Sequence, residues 1–162
     1  MYPWIVFLHV IAVFGFLLAH GASASVAFRV RSERNLDRLH ALLELSGASQ
    51  GVMYASLGLL LLTGIIAGFM GNWWSRGWIW LSLGLLIAIM VAMYALGSNY
   101  YGKVRKATGL EFMDGMKPHP PMEPVGAEEI DALLASGRPM LIAVIGFGGI
   151  AVIAWLMMFK PF

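Results

Sequence analysis

The sequence has no cysteine and few charged residues. Without cysteine, the chain has no disulfide, no thiolate metal site and no catalytic thiol. Asp, Glu, Lys and Arg make up 12% of the residues, compared with about 25% in soluble domains. Hydrophobic residues make up 59% of the chain. This composition predicts a membrane protein.

Charge is absent altogether from four long apolar stretches. These are residues 2–28, 51–70, 78–100 and 140–159. Each is long enough to cross a bilayer as a helix, which takes roughly 20 apolar residues. The sequence therefore predicts an all-α fold, a four-helix up-down bundle forming a single transmembrane domain over residues 1–162.

The basic residues lie mainly in two of the connections between these spans. Residues 29–50 and 101–139 contain nine of the eleven Lys and Arg residues, and all nine acidic residues. Arg76 and Lys160 are the other two basic residues. Because positively charged loops stay on the cytoplasmic side, we expect two cytoplasmic loops and both termini outside. The predicted location is a bacterial-type inner membrane, in which the chain is multi-pass.

Both cytoplasmic loops are predicted to contain short amphipathic helices. In residues 31–49, leucines recur at helical spacing at Leu36, Leu39 and Leu43, which indicates a helix lying at the membrane surface. In "GAEEIDALLASGRP", the acidic residues at the start and Gly137 at the end are helix start and stop signals.

Small residues recur every fourth position along the first span. Such a stripe lets helix backbones approach closely inside a membrane. We expect it to pack against another helix of the same chain, with contact between copies in a homo-oligomer as the alternative. Its members are Gly15, Ala19, Ser23 and Ala27.

Two histidines, His9 and His20, interrupt the apolar first span in "LHVIAVFGFLLAHG". Eleven residues of helix place them about 20° apart around the axis and roughly 16 Å apart along it, so they share a face but not a metal ion. Thr63 and Ser82 lie at about the depth of His9. Four residues on the second and third spans are candidate neighbours of His20 in a cofactor site: Met53, Tyr54, Met93 and Tyr94.

Ionisable residues inside a membrane usually have a function or a buried partner, and three roles are open for these histidines. They could ligate haem b, which would need His/Met ligation, a single axial ligand or a ligand from another chain, because the other spans contain no histidine. They could handle a transition metal such as copper, or protons. They could also be hydrogen-bonded residues that only hold the bundle together.

A second candidate metal site lies in the "EFMDGMKPHPPMEP" segment of the second loop. Thioether and imidazole ligands suit Cu(I). However, the prolines favour polyproline II, which would space every third residue about 9 Å apart, so a stiff loop is the simpler interpretation. The candidate ligands are Met113, Met116, His119 and Met122.

The "LHVIAVFGFLLAHG" span, the basic exit "FRVRSER" and the "EEIDALLASGRP" segment together resemble small membrane proteins of the copper-resistance-D-like group. More distantly, the first-span histidine is similar to that of membrane-bound protoporphyrinogen oxidases, which bind haem b. The resemblance implies that His9 matches the family's first-span histidine. The further histidines of a copper or haem site in such families have no counterpart in the later spans.

No arrangement of residues typical of an enzyme is present, and the basic residues are explained by topology, so no nucleic-acid binding is expected. The leading prediction is a small membrane protein of unspecified activity that binds haem b or copper through His9 or His20. The alternatives are a non-catalytic structural subunit of a larger membrane complex, such as a respiratory one, and an oligomeric proton or metal-ion carrier. Besides the lipid bilayer, the expected partners are further copies of the chain or that larger complex.

Overall fold

A computed structural model describes residues 1–115 and 117–162 of the chain. It is predominantly helical, and four of its helical stretches are long and apolar enough to cross a membrane, as the sequence predicted. The helices are α1 (Tyr2–Val30), α2 (Leu36–Met70), α3 (Gly77–Met93), α4 (Asn99–Ala107), α5 (Ala127–Leu134) and α6 (Arg138–Phe159). A 3₁₀ turn (Trp73–Ser75), a π-helical segment (Tyr94–Ser98) and two short strands, β1 (Phe112–Asp114) and β2 (Lys117–His119), complete the fold.

The start of α1, the turn between α2 and α3, and the end of α6 meet at one end of the bundle. The rings of Tyr2 and Trp73 pack edge to face, and the backbone N–H of Trp78 donates to the carbonyl oxygen of Phe162. We call this the tryptophan end. The opposite end, which we call the charged end, contains residues 29–44, 101–115 and 117–138.

α1 and α2 form a closely packed antiparallel pair. The predicted stripe of small residues lies at this interface: a Cβ atom on Gly15 would lie only 2.7 Å from the hydroxyl of Ser56. Further along, the hydroxyls of Ser23 and Ser46 are 3.0 Å apart and share a hydrogen bond. The prediction that the stripe packs within one chain is therefore confirmed for this helix pair.

α3 and α6 form a second pair, with Gly149 of α6 against the side chain of Ile89. The two pairs meet where α1 touches α6, near His20. In the half of the bundle toward the tryptophan end they stand apart, and a cavity lies between them.

The separate surface helix predicted within residues 31–49 is not formed, and the predicted loop 29–50 shrinks to residues 31–35. Residues from Leu36 onward are helical, but they are continuous with α2, which spans 35 residues and is therefore about 52 Å long. The physical reason is that Leu39 and Leu43 are buried in the protein against Tyr100, Val104 and Leu134 rather than lying on lipid.

The second connection is also more structured than predicted. The third span extends through the π-helical segment and α4 to Ala107, which shortens the predicted loop 101–139. His40 contacts this region through Nε2, 2.6 Å from the carbonyl oxygen of Thr108. The helix predicted from "GAEEIDALLASGRP" is present as α5.

The α1–α2 turn is closed by local hydrogen bonds. The Glu33 carboxylate accepts from the backbone N–H groups of Asn35 and Arg34, and these bonds lower its pKa. The Asn35 side chain in turn accepts from the N–H of Arg38 and caps α2.

Replacing Gly15 with leucine should separate α1 from α2, because even its Cβ would meet Ser56. We expect a loss of about 1–3 kcal/mol, the usual cost of overpacking a tight interface. The measurement is the unfolding midpoint of the purified protein in detergent.

The matched control is Gly21→Leu on the same helix, where a Cβ would meet nothing within 4 Å. Equal midpoints for the two variants would contradict close packing at Gly15.

Candidate functional site: two first-span histidines

A cavity of about 440 Å³ lies between the two helix pairs, and we call it the central cavity. This volume is within the range typical of ligand pockets. All four spans line it, mainly with aliphatic and aromatic side chains, and His9 and Ser82 are among its few polar residues. An apolar cavity with few polar groups suits a ligand that is mostly apolar.

His9 is oriented by two hydrogen-bond partners on α2. Its Nδ1 lies 3.0 Å from the carbonyl oxygen of Leu60 and 3.1 Å from the hydroxyl oxygen of Thr63. A carbonyl oxygen only accepts hydrogen bonds, so Nδ1 carries the proton. The Thr63 hydroxyl donates to Leu59, 2.7 Å away, which leaves its lone pairs free to accept from His9 as well.

This arrangement leaves Nε2 of His9 as the ring nitrogen with a lone pair. The Nδ1–Cε1 edge of the ring faces α2, since a Cβ on Gly64 would lie 3.1 Å from Cε1 and 3.5 Å from Nδ1. In the described part of the chain, Nε2 has no hydrogen-bond partner. The imidazole is half-buried and lines the central cavity.

The predicted neighbours of His9 are both found at its level. Thr63 contacts the imidazole directly, and Ser82 lines the same cavity. The Ser82 hydroxyl donates to the carbonyl oxygen of Trp78, one turn earlier on its own helix. The Ser82 hydroxyl proton is therefore already used in a hydrogen bond, whereas the lone pair on Nε2 of His9 has no donor among the residues that the structure describes.

His20 has a different environment, closed and without a hydrogen bond at Nε2. Its imidazole is 6% exposed and lies between Phe16, stacked at 5.9 Å between centroids, and Phe147, edge-on at 4.9 Å. Nε2 is buried against α6, where a Cβ on Gly146 would lie 2.5 Å from it. Among the described residues no atom pairs with this nitrogen.

The structure brings one of the four predicted cofactor neighbours close to His20. The methyl carbon of Met93 lies 3.7 Å from the Cβ position of Gly146 that His20 also approaches. Met53 is half-buried, while Tyr54 and Tyr94 are 60% and 56% exposed on the bundle surface. The aromatic residues that do surround His20 are phenylalanines, which were not among the neighbours predicted from position along the spans.

The described candidate ligands of the predicted thioether site in the second loop, Met113, His119 and Met122, lie in different settings. Residues 112–114 and 117–119 form a pair of antiparallel strands, where the prolines favoured polyproline II. In their register Phe112 pairs with His119, and the two rings stack at 5.1 Å. Met113, next to Phe112, projects to the other face of the strand pair, because side chains alternate along a strand. Met122 lies beyond these strands and is exposed, and Met116 lies outside the described residues.

Within residues 1–115 and 117–162, no group of three or more His, Asp or Glu side chains is placed to hold a metal ion. Comparisons with protein-family models, with curated proteins and with solved structures give no significant match. The resemblance to the copper-resistance-D-like group therefore stays a prediction.

Gly146→Ala should destabilise the protein, because the new methyl group would occupy the position of the His20 imidazole. We expect a loss of about 1–3 kcal/mol in the free energy of unfolding. The control is Gly148→Ala, where a Cβ would meet nothing within 4 Å.

The same substitution should be much better tolerated in a His20→Ala background, where the ring is gone. Unfolding midpoints of the four combinations form a double-mutant cycle. Additive effects would contradict direct packing of His20 on Gly146.

Proposed function

We propose that this multi-pass membrane protein binds haem b in the central cavity, with His9 as an axial ligand. The observation that carries the proposal is the hydrogen bond between Nδ1 of His9 and the carbonyl oxygen of Leu60. A metal-ligating histidine typically donates its other ring N–H to such an acceptor, which fixes the tautomer and the ring orientation.

The lining of the central cavity suits the same ligand. A porphyrin has large apolar faces, and the aliphatic and aromatic side chains around His9 would cover them. Met157 and Met158 also line the cavity, and a methionine sulfur is a known axial partner of histidine on haem iron. When bound, haem would supply a redox-active iron centre; the protein would contribute its ligand, its orientation and a dry environment.

The surroundings of His9 favour haem over copper. The central cavity, of about 440 Å³ and lined mainly by apolar side chains, has the size for a porphyrin, whereas a copper ion needs only a few thioether, thiolate or imidazole ligands held close together. At His20 the imidazole and Met93 are such donors, but Nε2 is packed directly against Gly146. Copper binding there would require α6 to move.

The haem proposal predicts a Soret band when haem is added to the purified protein in neutral detergent. His9→Ala should lower haem affinity at least tenfold and shift the spectrum, because the axial ligand is lost. Thr63→Val should weaken binding by roughly 10-fold, since outer hydrogen bonds to a ligand histidine have effects of that size.

His20→Ala is the matched control, a histidine removed from the same helix but sealed from the central cavity; its spectrum should stay unchanged. Equal haem binding by the His9→Ala protein would contradict the assignment. A colourless protein that co-purifies stoichiometrically with larger partners would favour the alternative of a structural subunit.

We further propose that the chain lies in a bacterial-type inner membrane with its charged end in the cytoplasm and both termini outside. The nine basic residues of the two connections at the charged end support this orientation. So does the tryptophan cluster at the other end, since indole rings favour the membrane interface.

Because the chain has no cysteine, single-cysteine variants report orientation cleanly. A membrane-impermeant maleimide added to intact bacterial cells should label Ser75→Cys, in the exposed turn at the tryptophan end. Glu123→Cys, exposed at the charged end, should react only after permeabilisation. The reverse pattern would contradict the orientation.

A further inference from the structure

A second cavity adjoins the central cavity at the tryptophan end, and we call it the polar mouth. It has a volume of about 560 Å³. Three residues, Trp73, Trp78 and Lys160, line both cavities. The rest of the polar mouth is lined by the polar side chains of Asn72 and Arg76, in contrast to the apolar central cavity, and by Gly71, Pro161 and Phe162.

The polar mouth contains both basic residues of the tryptophan end. The other nine lie in residues 29–44 and 103–138, as do all nine Asp and Glu residues. Neither Arg76 nor Lys160 forms a salt bridge with a carboxylate in the described ranges, where the two salt bridges join Arg34 to Asp131 and Arg105 to Glu44. Two cations without a nearby acidic side chain make the polar mouth electrostatically favourable for an anion.

Lys160 is held over the boundary between the two cavities by the way α6 ends. Its backbone is left-handed, with φ of 46°, which is uncommon for a residue other than glycine. Its N–H donates to the carbonyl oxygen of Leu156, 3.0 Å away, which stabilises the reversal. As a result its Nζ lies 4.3 Å above the centre of the Trp73 ring and 5.7 Å from that of Trp78.

We propose that the ligand of the central cavity is an amphipathic carboxylate, with its apolar body beside His9 and its carboxylate in the polar mouth between Arg76 and Lys160. A guanidinium forms strong, directional hydrogen bonds to a carboxylate, and the ammonium of Lys160 adds a second charge. This inference rests on the proposed function in using the same cavity. It goes further in specifying the ionised end of the ligand and the two side chains that recognise it.

The test compares two probes that differ only in charge, a nitroxide-labelled stearic acid and its methyl ester. The nitroxide quenches tryptophan fluorescence, and Trp73, Trp74 and Trp78 line the central cavity. In neutral detergent at neutral pH, the acid should bind at least tenfold more tightly than the ester. In the Arg76→Gln/Lys160→Gln double variant this preference should disappear, while affinity for the ester stays unchanged.

The matched control is Lys103→Gln/Lys117→Gln, which removes the same charge from exposed residues at the charged end. It should keep the preference for the acid. Equal binding of acid and ester by the unmodified protein, or an unchanged preference in the Arg76/Lys160 variant, would overturn the proposal.

Two further measurements distinguish this inference from a site for a lipid headgroup and from the haem proposal. If phosphatidylglycerol displaces the acid and phosphatidylcholine does not, the polar mouth holds a lipid headgroup, and the proposal is overturned. If haem fails to bind but the preference for the acid persists and depends on Arg76 and Lys160, the haem assignment is wrong and the carboxylate site stands.

Discussion

The close approach of α1 to α2 is the contact on which the rest of the structure depends. Inside a membrane, burial from water does not drive helices together, so packing between small residues has to supply the attraction. Gly15 and Ser23 let the two backbones meet along most of their length. That proximity brings the carbonyl oxygen of Leu60 within reach of His9. The α3–α6 pair touches this unit mainly near His20, and the central cavity is the space left between the pairs.

The two first-span histidines share a helix face but differ in environment, because different helices oppose them. His9 faces α2, where Thr63 and the Leu60 carbonyl accept from Nδ1, and the residue lines the central cavity. His20 faces α6, where Gly146 lets the ring lie directly on the backbone and Phe147 closes its edge. A buried nitrogen without a hydrogen-bond partner lowers the free energy of unfolding, so His20 destabilises the fold in this position.

Much of the architecture could be predicted from the sequence, because it follows from one-dimensional patterns. Uncharged runs of sufficient length indicated the four spans, and the four-residue spacing of small residues indicated the α1–α2 interface. Counting rise per residue placed Thr63 at the level of His9. These predictions depend on helix geometry alone, which neighbouring elements alter little.

What failed depends on contacts between distant segments. Leu39 and Leu43 have the spacing of a surface helix, and only their burial beneath Tyr100 and Leu134 makes them part of α2. The prolines around His119 favour an extended loop, but the left-handed turn at Gly115 lets that segment pair back on Phe112. The sequence also could not predict that Lys160 lines both cavities, because this position arises from the left-handed chain reversal at the end of α6.

α2 is one continuous helix from Leu36 to Met70 and links the two ends of the bundle. One helix contains both His40, which is hydrogen-bonded to Thr108 at the charged end, and Leu60, whose carbonyl orients His9. The two residues are about 30 Å apart along the helix axis. Because α2 is one continuous helix, the His40 contact with Thr108 and the Leu60 carbonyl that orients His9 belong to the same element. α2 is thus a direct covalent and hydrogen-bonded connection between the charged end and the central cavity.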